Sequence, residues 1–270
     1  MITAGDITTA LRELGLGEGD AVFVHAGMRR ALTVAGRGRA EKFETILGGV
    51  SDAVGEGSVM MPAFSYSFTK GEDFDLAITP SVGVGVLAEY FRALEGVRRT
   101  IDPLFSAAIR GPVAEGWEER LFTIRDVDCF GEGSIFDYLR AVNAKLLFFG
   151  VPATANTFVH YVEQLLGVPY RYFKDFRGRV KDESTARDVT ARFYVRALDQ
   201  DVDTYLAPLG DDLLRAARAR ARALPGGPSL YLTDAASVVR QCREGVAANP
   251  DYLIDRGHPG AEHLYPLLAP

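Results

Sequence analysis

Cysteine is scarce in this sequence. Cys129 and Cys242 are the only two, far apart and without a partner motif around either. That excludes a disulfide framework and a cysteine-based zinc site, and two reduced, buried thiols are expected. Long apolar runs are missing as well. No stretch approaches the ~20 residues needed to cross a bilayer. The opening MITAGDITTALRELG has no basic segment leading into an apolar run, so no secretory signal is expected. A large charge excess is also absent: the formal net charge is -6, with 24% charged residues, which argues against non-specific binding to nucleic acid. The expectation is a soluble, cytoplasmic protein whose partners include neither nucleic acid nor membrane.

What the chain does have is apolar mass. Of its 270 residues 47% are hydrophobic, enough for one large core. Asp6 is a candidate cap for a first helix carrying Ile7, Leu11 and Leu14 at helical spacing. AVFVH (21–25) and SVMMP (58–62) read as buried strands around a helix over 40–54, a βαβ-type unit. Residues 63–82 have no clean period and read as a long ordered loop. A helix is expected over 83–94, an interrupted strand over 96–111, a helix over 134–142, a strand over 145–151 and a helix over 154–167. YRYFKDFRGRV (170–180) and TARFYVRALD (190–199) alternate polar and apolar residues as an antiparallel hairpin would. A long helix over 200–223 with a solvated Arg–Ala face is expected next, then PSLYLTD (228–234) as a last strand or edge and a helix capped by Thr233. The fold class is therefore α/β: a mixed central sheet flanked by helices in one domain over 1–270, with a β-rich hairpin insertion at about 168–199.

Four histidines invite separate weighing: His25, His160, His258 and His263. His160 lies three residues before Glu163 in NTFVHYVEQL, so both project from one helix face. A carboxylate on one ring nitrogen fixes the tautomer and raises basicity at the other, which is what a general base needs. Such pairs are common, and by itself this one reads better as packing than as chemistry. Nothing nearby supplies a third metal ligand, and no metal is expected. His25 ends the first strand, where α/β folds place ligand groups, and a site role and a hydrogen-bonded strand terminus are equally good readings. His258 and His263 read as solvated. Arg98-Arg99 is a candidate phosphate holder, against a plain pair of surface arginines. GVGVLAE (83–89) offers helix N-terminal amides to an anion, though it matches no Walker or dinucleotide pattern.

The ordered blocks LRELGLGEGDAVFVHAGMR, GSVMMPAFSYSF, FDLAITPSVGVGVLAEYFRALEGVRRTIDPLFSAAIRG, GEGSIFDYL, LLFFGV and NTFVHYVEQLLGVPYR run from about residue 5 to about residue 200. In this order they resemble the aminoglycoside 3-N-acetyltransferases, antibiotic acetyltransferases unrelated to the GCN5 fold. The resemblance implies an α/β enzyme that takes acetyl-CoA as acyl donor and acetylates a small-molecule amine. The family's Thr-x-x-His-x-x-Glu block falls on Thr157, His160 and Glu163, which makes His160 the general base and Glu163 its orienting group. It reverses the balance on that pair. Thr157, or backbone amides near Ala26-Gly27, would then supply donors to the tetrahedral oxyanion. The same resemblance assigns His25, Ala26, Gly27, Arg98, Arg99 and Ser106 to the donor-binding side.

Three departures stand out. Ala26-Gly27 replaces Ser-Ser, Asp102-Pro103 replaces His-Pro, and GSIFDYL lacks a proline after Gly-Ser. The acceptor stays open between an aminoglycoside, a biosynthetic amino sugar (nucleotide-linked sugars included) and another small amine. A thioester or amide hydrolase and a non-catalytic CoA-binding homologue are the competing classes, and a homodimer is an admissible assembly.

Overall fold

In the computed structural model residues 1–28, 33–197 and 202–256 are described. The first helix, α1 (Ala4–Leu14), is capped by Thr3 and not by Asp6. Thr3 accepts from the Asp6 amide while the Asp6 carboxylate takes the Thr3 amide at 2.8 Å, so Asp6 closes a capping box from the third helical position.

The chain continues through β1 (Ala21–Ala26), α2 (Arg39–Val54), β2 (Ser58–Pro62), β3 (Phe74–Asp75), α3 (Val86–Arg92), β4 (Arg98–Arg99) and β5 (Ala107–Arg110). Next come α4 (Glu118–Phe122), β6 (Val127–Asp128), α5 (Ile135–Ala141), β7 (Lys145–Phe149) and α6 (Phe158–Leu166). The hairpin β8 (Arg171–Lys181) and β9 (Ala186–Arg196) follows, then β10 (Asp203–Thr204), α7 (Ala207–Arg215), β11 (Ala219–Ala223), β12 (Ser229–Asp234), α8 (Ala235–Ala248) and β13 (Ile254–Asp255). No helix among the described residues is long and apolar enough to cross a membrane.

Seven strands form a mixed sheet in the order β11-β12-β7-β1-β2-β5-β4. Within it only the β7–β1 and β1–β2 pairings are parallel; β12 and β5 flank them antiparallel. The central strands are continuous apolar runs because both faces are covered. Phe23, Met60, Leu146 and Phe148 point into the layer with α5, α6 and α8, while Val22, Val24, Met61, Leu147 and Phe149 point to α1, α2 and α3. The hairpin is the centre of a second sheet, ordered β3-β8-β9-β6, whose Val180, Val189 and Ala191 join the α6-side core.

The expected helix over 200–223 is not one element. α7 ends at Arg215, Ala217 takes a positive φ of 53°, and residues 219–223 pair antiparallel with β12 as a strand. Arg–Ala alternation has period two and separates its residues onto two faces only in a strand. Arg222 pairs with Glu13 beside the end of α1, an interaction a helix would not offer. β12 is consequently internal to the sheet, and Asp234 caps α8 by accepting from the Ser237 amide at 2.8 Å, not Thr233. Residues 198–201 of the expected elements, and His258 and His263, lie outside the described residues.

Candidate active site

Both α6 and the β1 terminus lie where the parallel strands end, the usual place for a ligand crevice in such sheets. β7 closes at Gly150, whose φ of 67° suits glycine, and a short turn over Ala153–Ala155 leads into α6. Asn156 is buried and its Oδ1 accepts from the Phe158 amide at 3.2 Å. Thr157, the next residue, makes no side-chain capping bond. Phe158, Val159, Tyr161 and Val162 bury one face of α6, and Gly167 ends it in the left-handed conformation.

His160 and Glu163 meet on that helix as their spacing requires. Nδ1 of His160 is 2.6 Å from Oε2 of Glu163, whose side chain is fully buried. The ring of Phe130 stands edge-on to the imidazole at 5.7 Å. Sequence reasoning passed over a third member, Arg171, the buried first residue of β8. Its Nε lies 2.8 Å from the same Glu163 oxygen, an ion-pair contact outside hydrogen-bond alignment, and its Nη2 is 3.0 Å from His160 Nδ1. The signal was present: an arginine at a strand's inward start, directly after Val168-Pro169-Tyr170, has to find a counter-charge. Gln164, one residue past Glu163, donates to Asp128 at 2.9 Å.

Burial and the Arg171 charge depress the His160 pKa, against the pull of Glu163, so the ring is neutral at neutral pH. Burial opposes ionisation of Glu163, but Arg171 and His160 outweigh it and hold the carboxyl below its ordinary range. A neutral imidazole beside a carboxylate keeps its hydrogen on Nδ1 and leaves the Nε2 lone pair to accept a proton.

The strand-end residues form a second group. His25 is buried, stacks on Phe148 at 5.2 Å and has no hydrogen-bond partner for Nε2. Burial lowers its pKa to about 4. The Gly27 amide donates to Phe149 O at 2.8 Å, so it is already committed to the sheet. A Cβ at Gly27 would come within 2.5 Å of Val151 Cγ1 and 2.9 Å of Gly150 O. Glycine here lets two backbones touch.

The arginine pair divides. Arg98 is half exposed, paired with Glu118 at 2.8 Å, and its guanidinium covers the Phe122 ring. Arg99 is buried: it donates to Ser106 Oγ at 2.9 Å, to Ala63 O at 2.6 Å and to Thr79 O, and it lies over Phe74. Ser106 also donates to Ala63 O, at 2.7 Å. Arg99 and Ser106 therefore pin the 63–79 segment, and burial lowers the arginine's pKa to about 9. Asp102 caps its own turn, accepting from the Leu104 and Phe105 amides, and burial raises its pKa.

The family model for aminoglycoside 3-N-acetyltransferase matches residues 23–245. Aminoglycoside N(3)-acetyltransferase III of a Salmonella species is 28% identical over 187 residues, covering 63% of this chain and 63% of that protein. The matched region is thus less than two thirds of that relative's length. Among solved structures, AAC-IIIb in binary complex with CoASH aligns with a TM-score of 0.72 at 24% identity, covering 88% of this chain and 94% of that one. The aminoglycoside acetyltransferase AAC(3)-IIb aligns with a TM-score of 0.75 at 23% identity, over 92% and 98%. At these identities the structural likeness establishes the fold.

Proposed function

Because the chain belongs to the aminoglycoside 3-N-acetyltransferase family, we propose that it transfers the acetyl group of acetyl-CoA to an amine of an aminoglycoside or related amino sugar. The observation that carries this reading is the 2.6 Å contact between His160 Nδ1 and Glu163 Oε2. It leaves Nε2 of a neutral imidazole as a proton acceptor, and an ammonium must lose a proton before it can attack a thioester. The naming of relatives for aminoglycoside N(3)-acetylation and the CoASH complex of AAC-IIIb support the choice of acceptor and donor.

In this mechanism the ammonium first loses one proton to solvent, and His160 takes a second from the nitrogen as it bonds to the thioester carbonyl carbon. The carbonyl π pair moves to oxygen, and the hydroxyl of Thr157, free of capping duty, donates to that oxyanion. Collapse breaks the carbon–sulfur bond, and the imidazolium returns its proton to the departing thiolate. Products are the acetamide and free CoA.

The donor side is assigned to the β1 terminus. Its fit rests on the unpartnered, buried Nε2 of His25, while the close packing at Gly27 fixes the backbone that carries it. Arg98, half exposed on the sheet edge, would exchange Glu118 for a phosphate, while Arg99 and Ser106 act indirectly by holding the 63–79 segment. Residues 1–270 are read as one acetyltransferase unit.

The test is a thiol-release assay with acetyl-CoA against aminoglycosides, amino sugars and nucleotide-linked amino sugars. Release that depends on one class of amine is expected. Release indifferent to every amine would instead mark a hydrolase, and CoA binding without release a non-catalytic homologue.

A further inference from the structure

We infer that Arg171 is a positioning residue: from the first place in the hairpin it locks Glu163 against His160 Nδ1 and so fixes which ring nitrogen carries the proton. The inference rests on His160 being the base of the proposed transfer, and it concerns a residue outside the helix that carries that base.

The hydrogen bookkeeping around Nδ1 decides the matter. Glu163 Oε2 and Arg171 Nη2 lie 2.6 Å and 3.0 Å from the same nitrogen. An ionised carboxylate only accepts and a guanidinium only donates, so Nδ1 can satisfy one of them. If Nδ1 were bare and accepted from Arg171, the carboxylate would face a lone pair at 2.6 Å. Protonating Glu163 would relieve that, but Arg171 Nε, 2.8 Å from Oε2, disfavours the neutral acid. The arrangement without conflict has Nδ1–H donating to Glu163 and Arg171 acting on Nδ1 through charge alone.

Arg171 can hold this place because it is anchored away from α6. Its Nη1 donates to Tyr194 O of β9 at 3.3 Å and its Nη2 reaches Thr204 Oγ1 of β10 at 3.5 Å. Glu163 Oε1 has no aligned hydrogen-bond partner, so the close contacts of the carboxylate with His160 and Arg171 both run through Oε2, with the Tyr170 hydroxyl also facing the group. The titratable groups facing Glu163 from other elements are Tyr170, Tyr194 on β9 and Cys242 on α8, and burial pushes all three up, leaving them neutral. Arg171 is the cation that offsets the carboxylate. The same charge depresses the His160 pKa, second only to burial, while Glu163 raises it. Arginine and glutamate thus act on the ring in opposite directions, and removing either has a recognisable sign.

The experiment follows His160 by ring 15N and 13C NMR against pH in the wild-type protein, Arg171→Met and Arg171→Lys, with His160→Gln to identify its signals. In the wild type the neutral ring is expected as the Nδ1–H form. In Arg171→Met the His160 midpoint should rise by about one pH unit or more, and the acid limb of kcat/KM should move up with it. Arg171→Lys keeps the charge and should restore most of the wild-type midpoint. A wild-type ring protonated on Nε2 would overturn the inference, as would a midpoint in folded Arg171→Met that stays or falls. Should Arg171→Met not fold, Arg171→Gln takes its place: a raised His160 midpoint supports the lock, and a midpoint that stays or falls refutes it. The titration is read without turnover, so an absence of acetyl transfer would count against the proposed function and leave this result standing.

Discussion

Glu163 and Arg171 stand 2.8 Å apart, both buried, on elements that the chain separates by a helix end and a turn. The carboxylate reaches back one helical turn to His160, and Arg171 meets the same oxygen from the hairpin.

Truncating His160 removes the proposed base without touching the strand-end group. His160→Ala should lower kcat/KM for acetyl transfer by roughly 10²–10⁴-fold and leave CoA affinity, read by calorimetry, near the wild-type value. Near-normal turnover would take His160 out of the mechanism.

Glu163→Gln leaves Arg171 buried without a counter-charge, a change that typically costs about 3–5 kcal/mol. Urea unfolding at neutral pH should show that loss. The folded pKa of Glu163 lies below its ordinary 4.5, so its contribution to stability is present above 4.5 and is lost as pH falls through the folded value. The glutamine variant should lack this acid dependence, and its kcat/KM acid limb should move down, because the group that raises the His160 pKa is gone.

His25 makes an independent pH prediction. Its pKa falls from 6.5 in the unfolded chain to about 4 in the fold. Stability from keeping it neutral is complete above 6.5 and is lost as pH drops toward 4, in total about 3 kcal/mol. His25→Phe keeps a ring on Phe148 and removes the titration. The variant should therefore gain on the wild type as unfolding is measured at successively lower pH, while losing affinity for CoA. A constant difference between the two proteins would contradict the assignment.

Gly27→Ala puts a methyl group into Val151 and the Gly150 carbonyl, at a cost of about 1–3 kcal/mol for such overpacking. Adding Val151→Ala should return part of the loss in a double-mutant cycle. Gly38→Ala, where nothing lies within 4 Å of the added carbon, is the control and should change the thermal midpoint little.

Local pattern made much of this molecule legible. The apolar runs at 21–25, 58–62 and 145–151 supplied the parallel strands, the last ending at Phe149, and His-x-x-Glu on a helix became a 2.6 Å contact, because period and spacing are properties of neighbouring residues. What escaped depended on distant partners. Residues 219–223 read as helix until the β12 edge and Glu13 made a strand the better use of Arg–Ala alternation. Arg171 starts a hairpin whose alternation does not say which carboxylate it meets, and the fold brings it to Glu163. Arg98 and Arg99 are adjacent in sequence, but a strand sends neighbours to opposite faces, so one meets Glu118 and the other the 63–79 carbonyls.

The two rims of the seven-stranded sheet share one composition. β4, a strand of only two residues, is Arg98-Arg99, and β11 carries Arg220 and Arg222. A rim strand offers unpaired amides and carbonyls to any passing chain, and charge or brevity there discourages such pairing. Arg99 is turned inward, but Arg98 at one rim and Arg220 and Arg222 at the other are exposed, so both open edges present charge that disfavours edge-to-edge pairing with a second molecule.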